Sequence, residues 1–251
     1  AEFYTRFIRE TMDEAGQVTQ WSYQYEELNY GYDVIDPWGP GPHRLAMLWR
    51  NHRGEEKRLT FSDLKTLSNQ AANLLRSHGL QKGDVVMTAL RTHWSYWIVA
   101  LAAHKLGLLL APVYYRLTAE DFRYRMEKAK VRCVVTCREG LRQEHLAAAE
   151  QAQVPLRFAL GPGEDGFLDF LAALPQQPDT LDRVPTLATD PLLLYFTSGT
   201  TGLPKGVLHD HAFPLANYWG PDMQGRPQGS RHFATGDTGW EVVAGTKFYG
   251  Q

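Results

Sequence analysis

Cysteine is almost missing from this chain of 251 residues, which has two, Cys133 and Cys137. Both sit in the short β-like run Arg132-Cys-Val-Val-Thr-Cys137. At i and i+4 of a strand they share a face but stand roughly 13 Å apart, given about 3.3 Å of rise per residue. That is too far for a disulfide between them. A disulfide scaffold is excluded, and a reduced, cytoplasmic setting is expected. Excess charge of either sign is also missing. The formal net charge is −2, from 26 basic and 28 acidic side chains, so no electrostatic field points to nucleic acid or to an anionic membrane. No long hydrophobic run is present. The most apolar stretch, Trp97–Val113, is broken by His104, Lys105 and Gly107 and is too short to span a bilayer. The first residues, Ala1-Glu-Phe-Tyr-Thr-Arg, lack the basic-then-apolar pattern of a secretory leader. There is no internal repeat, and no Gly-x-Ser-x-Gly elbow of a hydrolase.

The chain does have the 43% apolar and 22% charged composition of an ordinary globular protein. Residues 1–29 are polar and aromatic and read as an extension with a possible first helix. From Leu45 onward strand and helix signals alternate. Leu45–Trp49 reads as a strand and Asn51–Glu55 as a turn. Thr60-Phe-Ser-Asp63 has reciprocal capping spacing, and the stripe Leu64, Leu67, Ala71, Leu74, Leu75, His78 continues to a stop at Gly79. Asp84–Leu90 is a buried strand, Trp94–Leu106 a helix and Leu108–Val113 a strand. Thr118-Ala-Glu-Asp121 repeats the capping pattern and opens a helix to about Lys130. Then come a strand at 132–136, a helix at 142–153, a strand at 156–160 and a short helix at 167–174. This alternation predicts an α/β layered fold with a largely parallel sheet and flanking helices. The expected organisation is an α/β subdomain over 30–175, a Pro-, Gln-, Asp- and Thr-rich linker over 176–191, and the start of a second subdomain over 192–251.

That last part opens with the apolar strand Leu192-Leu-Leu-Tyr-Phe196, which runs directly into Thr197-Ser-Gly-Thr-Thr-Gly-Leu-Pro-Lys-Gly206. Gly199, Gly202 and Gly206 let the backbone approach a ligand. Thr197, Ser198, Thr200 and Thr201 offer hydroxyls, and successive N–H groups in such a turn make an anion-binding concavity. Lys205 supplies a positive charge, Pro204 stiffens the turn beside Leu203, and no residue in the loop is acidic. These are the requirements of phosphoryl or nucleotidyl transfer: position and charge neutralisation. A flexible Ser/Thr/Gly linker is the alternative, but such linkers rarely follow five apolar residues or end in Pro-Lys-Gly. The spacing is not Gly-x4-Gly-Lys-Ser/Thr, so a fold other than the Walker type handles the nucleotide.

Other patterns carry less. Gly161-Pro-Gly-Glu-Asp-Gly166 fits a dinucleotide fingerprint by spacing, but Pro162 removes a donor and Glu164 and Asp165 would face the phosphates, so an acidic turn is the better reading. His209-Asp-His211 offers two imidazoles and no third ligand at a suitable spacing. It reads as a strand end with a histidine bordering the site, and no metal-ligand set is assigned. Trp94, Tyr96 and Trp97 read as packing residues.

The loop resembles the signature of the AMP-forming acyl-CoA synthetase, luciferase and peptide-synthetase adenylation superfamily. The likeness covers roughly residues 29–251. It includes Asn29-Tyr-Gly-Tyr-Asp-Val-Ile-Asp36, Leu59–Lys65, Ser68-Asn-Gln-Ala-Ala-Asn73, Gly79–Asp84, Ala103–Gly107 and Tyr124–Ala129. The ending, Asp237-Thr-Gly-Trp240 with Lys247–Gln251, is most similar to the short- and medium-chain acyl-CoA synthetase branch. The resemblance implies ATP, magnesium and CoA, with a carboxylate activated to an acyl adenylate and then passed to the CoA thiol. It implies that residues 197–205 hold the ATP phosphates, with Lys205, Thr200 and Thr201 acting on the charge moving to pyrophosphate. It places Arg125 and Arg116 near CoA, and Trp240 and Val242 at the acyl pocket. Segments that the family carries further on, for adenine, ribose and the lysine of a mobile domain, are not among these residues. The expectation is therefore an N-terminal portion with little thioester-forming activity of its own. Two alternatives stay open: another adenylating enzyme, such as an aryl-CoA ligase or a peptide-synthetase adenylation domain, or an inactive nucleotide-binding fragment.

Overall fold

The fold is given by a computed structural model that describes residues 7–39, 44–137, 143–162, 166–197 and 202–217. The first described element is an antiparallel pair, β1 (Ile8–Met12) and β2 (Val18–Tyr23). This corrects the expected first helix. The Asp13 carboxylate accepts from the amides of Ala15 and Gln17, and Gly16 takes a positive φ of 76°. That turn chemistry closes a hairpin where a helix would have needed to continue. A second pair, β3 (Leu45–Arg50) and β4 (Glu56–Thr60), flanks the turn expected at Asn51–Glu55.

Helix α1 (Phe61–Ser77) starts where the capping residues place it. The Thr60 hydroxyl accepts from the Asp63 amide while the Asp63 carboxylate accepts from the Thr60 amide. After β5 (Val85–Ala89), α2 (Ser95–Leu106) ends at Gly107, which adopts the left-handed conformation at φ 65°. The next elements are β6 (Leu109–Pro112), α3 (Ala119–Ala129) with Thr118 as its cap, and β7 (Val131–Cys137). Then come α4 (Gln143–Gln151), β8 (Leu156–Leu160), β9 (Leu168–Asp169), α5 (Phe170–Ala173), β10 (Pro191–Thr197), β11 (Lys205–Asp210) and α6 (Phe213–Asn217).

Seven strands form one sheet in the order β11-β10-β6-β5-β7-β8-β9. All pairings are parallel except that of β10 with β11. The strands read as continuous apolar runs because both faces of the sheet are covered. On one side Val86, Leu110, Cys133, Val135 and Phe158 pack with α1 and α2 residues such as Leu75, Ile98 and Leu101. On the other, Val85, Met87, Val134 and Ala159 pack with Phe122 and Met126 of α3 and with Ala148 and Ala149 of α4. Both cysteines are thiols buried in β7, where burial pushes the Cys133 thiol far up.

The segment Asn29–Asp36 is bound to this core by polar contacts. The Lys105 ammonium, fully buried in α2, lies 2.7 Å from the Asp36 carboxylate. It also donates to Ser68 (2.9 Å) and Asn69 (2.7 Å) of α1. Burial pushes its pKa down, and Asp36 opposes that shift. Residues 177–187 run along the same helices. Asn69 and Asn73 donate to the carbonyls of Asp179, Pro178 and Thr180, and the Asn29 amide donates to the hydroxyl of buried Thr186.

Candidate functional site: a hairpin at the sheet edge

Because β10 runs parallel to β6, its last residue, Thr197, stands at the carboxyl edge of the parallel strands. Open α/β sheets bind ligands at that edge. β11 then returns antiparallel, pairing Thr197 with Lys205, Phe196 with Gly206 and Tyr195 with Val207. The candidate loop is therefore the tip of a two-stranded hairpin. Ser198, Gly199, Thr200 and Thr201 lie outside the described residues, as do Trp240 and Val242.

The stems are well defined. Thr197 and Lys205 are both exposed, and the Thr197 hydroxyl reaches to 3.5 Å from the Lys205 carbonyl oxygen, the outer limit of a hydrogen bond. Among the described residues no carboxylate pairs with Lys205, so its ammonium is available to an anion. Gly202 has φ 128°, which a side chain rarely tolerates. A Cβ on Gly206 would stand 2.9 Å from Leu194 Cδ1, so glycine lets β11 close on β10 there. Leu203 is 67% exposed. An exposed lysine beside a glycine-bearing turn, with no acid among Tyr195–Thr197 or Lys205–Leu208, fits a polyphosphate.

The hairpin is also held from beside the sheet. The Tyr124 hydroxyl of α3 donates to the Pro204 carbonyl at 3.3 Å. The neighbouring Arg125 is drawn inward: its guanidinium lies 5.5 Å from the centre of the Phe196 ring and donates to the Asp121 carbonyl at 2.8 Å and its carboxylate at 3.2 Å. The Thr118 hydroxyl and Arg125 together hold the Asp121 carboxyl below its ordinary range. Arg116 remains exposed, with its head over the Tyr115 ring. The contacts of Tyr124 and Phe196 were not read from the sequence. The one available signal was that Tyr124 precedes Arg125 in a segment already singled out.

Beneath the far end of the hairpin lie three imidazoles. His211 is fully buried, its ring 6.3 Å from that of His104, which is also fully buried. Among the described residues neither ring nitrogen of His211 has a hydrogen-bond partner. Burial pushes the His211 pKa down to about 4 and that of His104 well below its ordinary value. His209 packs its ring 3.9 Å from Phe213. Among the described residues no cluster of three or more His, Cys, Asp or Glu is placed to hold a metal. No described helix is long and apolar enough to cross a membrane.

Comparison with known proteins bears on the family and the fold. The family model described as AMP-binding enzyme matches residues 39–240. The chain is 32% identical to the mitochondrial acyl-coenzyme A synthetase ACSM4 of Rattus norvegicus over 195 residues, 74% of this chain and 34% of the relative. It is 30% identical to 4-hydroxybutyrate–CoA ligase 1 of Metallosphaera sedula over 208 residues, 82% of this chain and 36% of the relative. Its fold matches an acyl-CoA synthetase of Brucella canis with a TM-score of 0.78 at 22% identity, covering 89% of this chain and 41% of that one. The anthranilate CoA ligase AuaEII in complex with anthranoyl-AMP matches with a TM-score of 0.76 at 23% identity, covering 90% and 43%. The chain spans about a third of the length of the curated relatives it matches. A largely parallel α/β sheet, a hairpin at its carboxyl edge and a family match across most of the chain lead to one conclusion: this chain belongs to the AMP-binding enzyme family.

Proposed function

We propose that this chain carries the phosphate grip of an acid–thiol ligase that activates a short- or medium-chain fatty acid with ATP and passes the acyl group to CoA. The observation that carries the reading is the hairpin at the sheet's carboxyl edge, with Lys205 exposed beside Gly202 and Thr197. The carboxylate would attack the α-phosphorus, giving an acyl adenylate and pyrophosphate, and the CoA thiol would then displace AMP. The negative charge that moves onto pyrophosphate needs fixed donors. Lys205 provides the positive charge, and Thr200 and Thr201 the hydroxyls, while Thr197, Ser198, Gly199, Gly202, Leu203 and Pro204 complete the phosphate-binding turn. A bound magnesium ion would share the phosphate charge. Arg116, exposed within the β6–α3 connection, is the cation offered to CoA. Arg125 would join it only on leaving Asp121 and Phe196. Trp240 and Val242 are assigned to the acyl pocket, and the cysteine thiols fit a cytoplasmic setting.

These residues correspond to about a third of the length of the ligases they match. We therefore propose that the 251 residues alone bind phosphate and form little or no thioester. Carboxylate-dependent ATP–pyrophosphate exchange tests the substrate class on the gene product at its natural length, with aliphatic acids of increasing length beside aromatic acids and amino acids. Exchange driven by the aliphatic acids supports the reading. Exchange driven only by aromatic or amino acids moves the protein to another adenylating class. Efficient acyl-CoA synthesis by the 251-residue chain would show that the grip is not all it carries.

A further inference from the structure

The sheet ends in β11, whose outer edge pairs with no other described strand. Four of its six residues, Lys205–Leu208, are exposed. The β11 stem therefore has little packing of its own to fix Lys205 against β10. α3 is in the opposite situation: Phe122 and Met126 bury it against the sheet. Two side chains of this anchored helix reach the two stems of the hairpin. Arg125 lies against Phe196, the residue before Thr197. Tyr124 donates to the carbonyl of Pro204, the residue before Lys205.

We propose that Tyr124 and Arg125 are positioning residues that clamp the phosphate hairpin from α3, keeping the Thr197 hydroxyl and the Lys205 ammonium in register before phosphate arrives. Neither residue touches the phosphates in this account. The inference rests on the reading of the hairpin as a phosphate grip. The clamp has two unlike halves. The tyrosine half is a single hydrogen bond to a backbone carbonyl, which Tyr124→Phe removes while keeping the ring. The arginine half needs a flat guanidinium that can lie on Phe196 and still donate to Asp121, which a lysine does not reproduce. Preorganisation of this kind raises affinity by lowering the ordering cost of binding.

The test uses the 251-residue chain, with inorganic pyrophosphate as the probe. Calorimetric affinity, the urea midpoint and amide hydrogen exchange across Pro191–Thr197 and Lys205–Asp210 are measured for wild type, Tyr124→Phe, Arg125→Lys and Lys205→Ala. Tyr124→Phe is expected to weaken pyrophosphate about fivefold, the factor for one lost hydrogen bond. It is also expected to speed exchange of the hairpin amides selectively, with the urea midpoint lowered by no more than that one hydrogen bond supplies. Arg125→Lys is expected to act in the same direction. If Lys205→Ala weakens binding while both α3 variants bind and exchange as wild type, the clamp is overturned and the phosphate reading stands. If Lys205→Ala binds pyrophosphate as wild type does, the phosphate reading fails. Exchange alone then decides the clamp: faster in the hairpin supports it, and unchanged overturns it. Exchange raised evenly over the whole molecule with a lowered midpoint marks a general structural role and also overturns the clamp.

Discussion

Lowering the pH from 8 to 5 should destabilise this protein through two buried imidazoles. His211 follows β11 with both ring nitrogens unpartnered among the described residues, and its pKa is pushed by burial from 6.5 to about 4. A buried histidine of this kind is neutral in the folded chain. The unfolded chain takes up a proton once the pH falls below about 6.5, and the folded chain does so only near 4. Stability from this group is therefore fully present above pH 6.5 and is lost as the pH falls from there toward 4, after which the loss levels off. At about 1.4 kcal/mol per pKa unit the full loss is roughly 3 kcal/mol, and about 2 kcal/mol has gone by pH 5. His104, lowered for the same reason and further lowered by His211, adds to the loss in the same window. Asp190 and Asp33 favour the charged imidazole of His211 and Lys82 disfavours it, so the neighbouring charges partly cancel and burial decides. Against a typical domain stability of about 5–15 kcal/mol, this change is large. Urea unfolding followed by tryptophan fluorescence at half-unit steps between pH 8 and 5 measures it. The wild type should lose at least about 2 kcal/mol across that range, and His211→Phe should lose distinctly less. A flat profile, or an imidazole of His211 that titrates near 6.5 by NMR, would refute the argument.

Three further outcomes follow from named contacts. Lys105→Met leaves the Asp36 carboxylate buried without its cation and should cost about 3–5 kcal/mol in unfolding free energy. Adding Asp36→Leu should recover much of that loss, and a double-mutant cycle by urea unfolding checks the coupling. Thr60→Ala removes the reciprocal cap of α1 and should lower stability by about 1 kcal/mol, read from the thermal midpoint. The thiol of Cys133, buried and with its pKa pushed far up, should react with a thiol reagent only on unfolding, so its labelling rate should follow urea concentration.

Much of this fold is legible in the sequence where local chemistry decides it. The apolar runs of β5, β6, β7 and β10 are strands because helices cover both faces of the sheet. The pairs Thr60/Asp63 and Thr118/Asp121 mark helix starts that the side chains then make. Elements without a hydrophobic pattern are not legible. β4 is Glu-Lys-Arg-Leu-Thr with only Leu59 buried, and β11 has no buried residue at all; each is a strand because of its partner. The β1–β2 hairpin depends on an Asp13 turn that a helical reading overlooks. Lys105 breaks an apolar stretch in the sequence, yet it is fully buried because Asp36, far away along the chain, meets it. Non-local pairing of this sort is invisible to any local pattern. The candidate phosphate turn rests on glycine, hydroxyl and lysine spacing, whereas the contacts of Tyr124 and Arg125 with its stems depend on how α3 packs.

The central claim is that the hairpin from Thr197 to Gly206 grips nucleotide phosphates. Calorimetric titration of the 251-residue chain with magnesium ATP, wild type against Lys205→Ala, tests it most directly. Saturable binding that Lys205→Ala weakens at least about tenfold is expected, the scale of one lost charge-assisted contact. Equal affinity in the two proteins would contradict it.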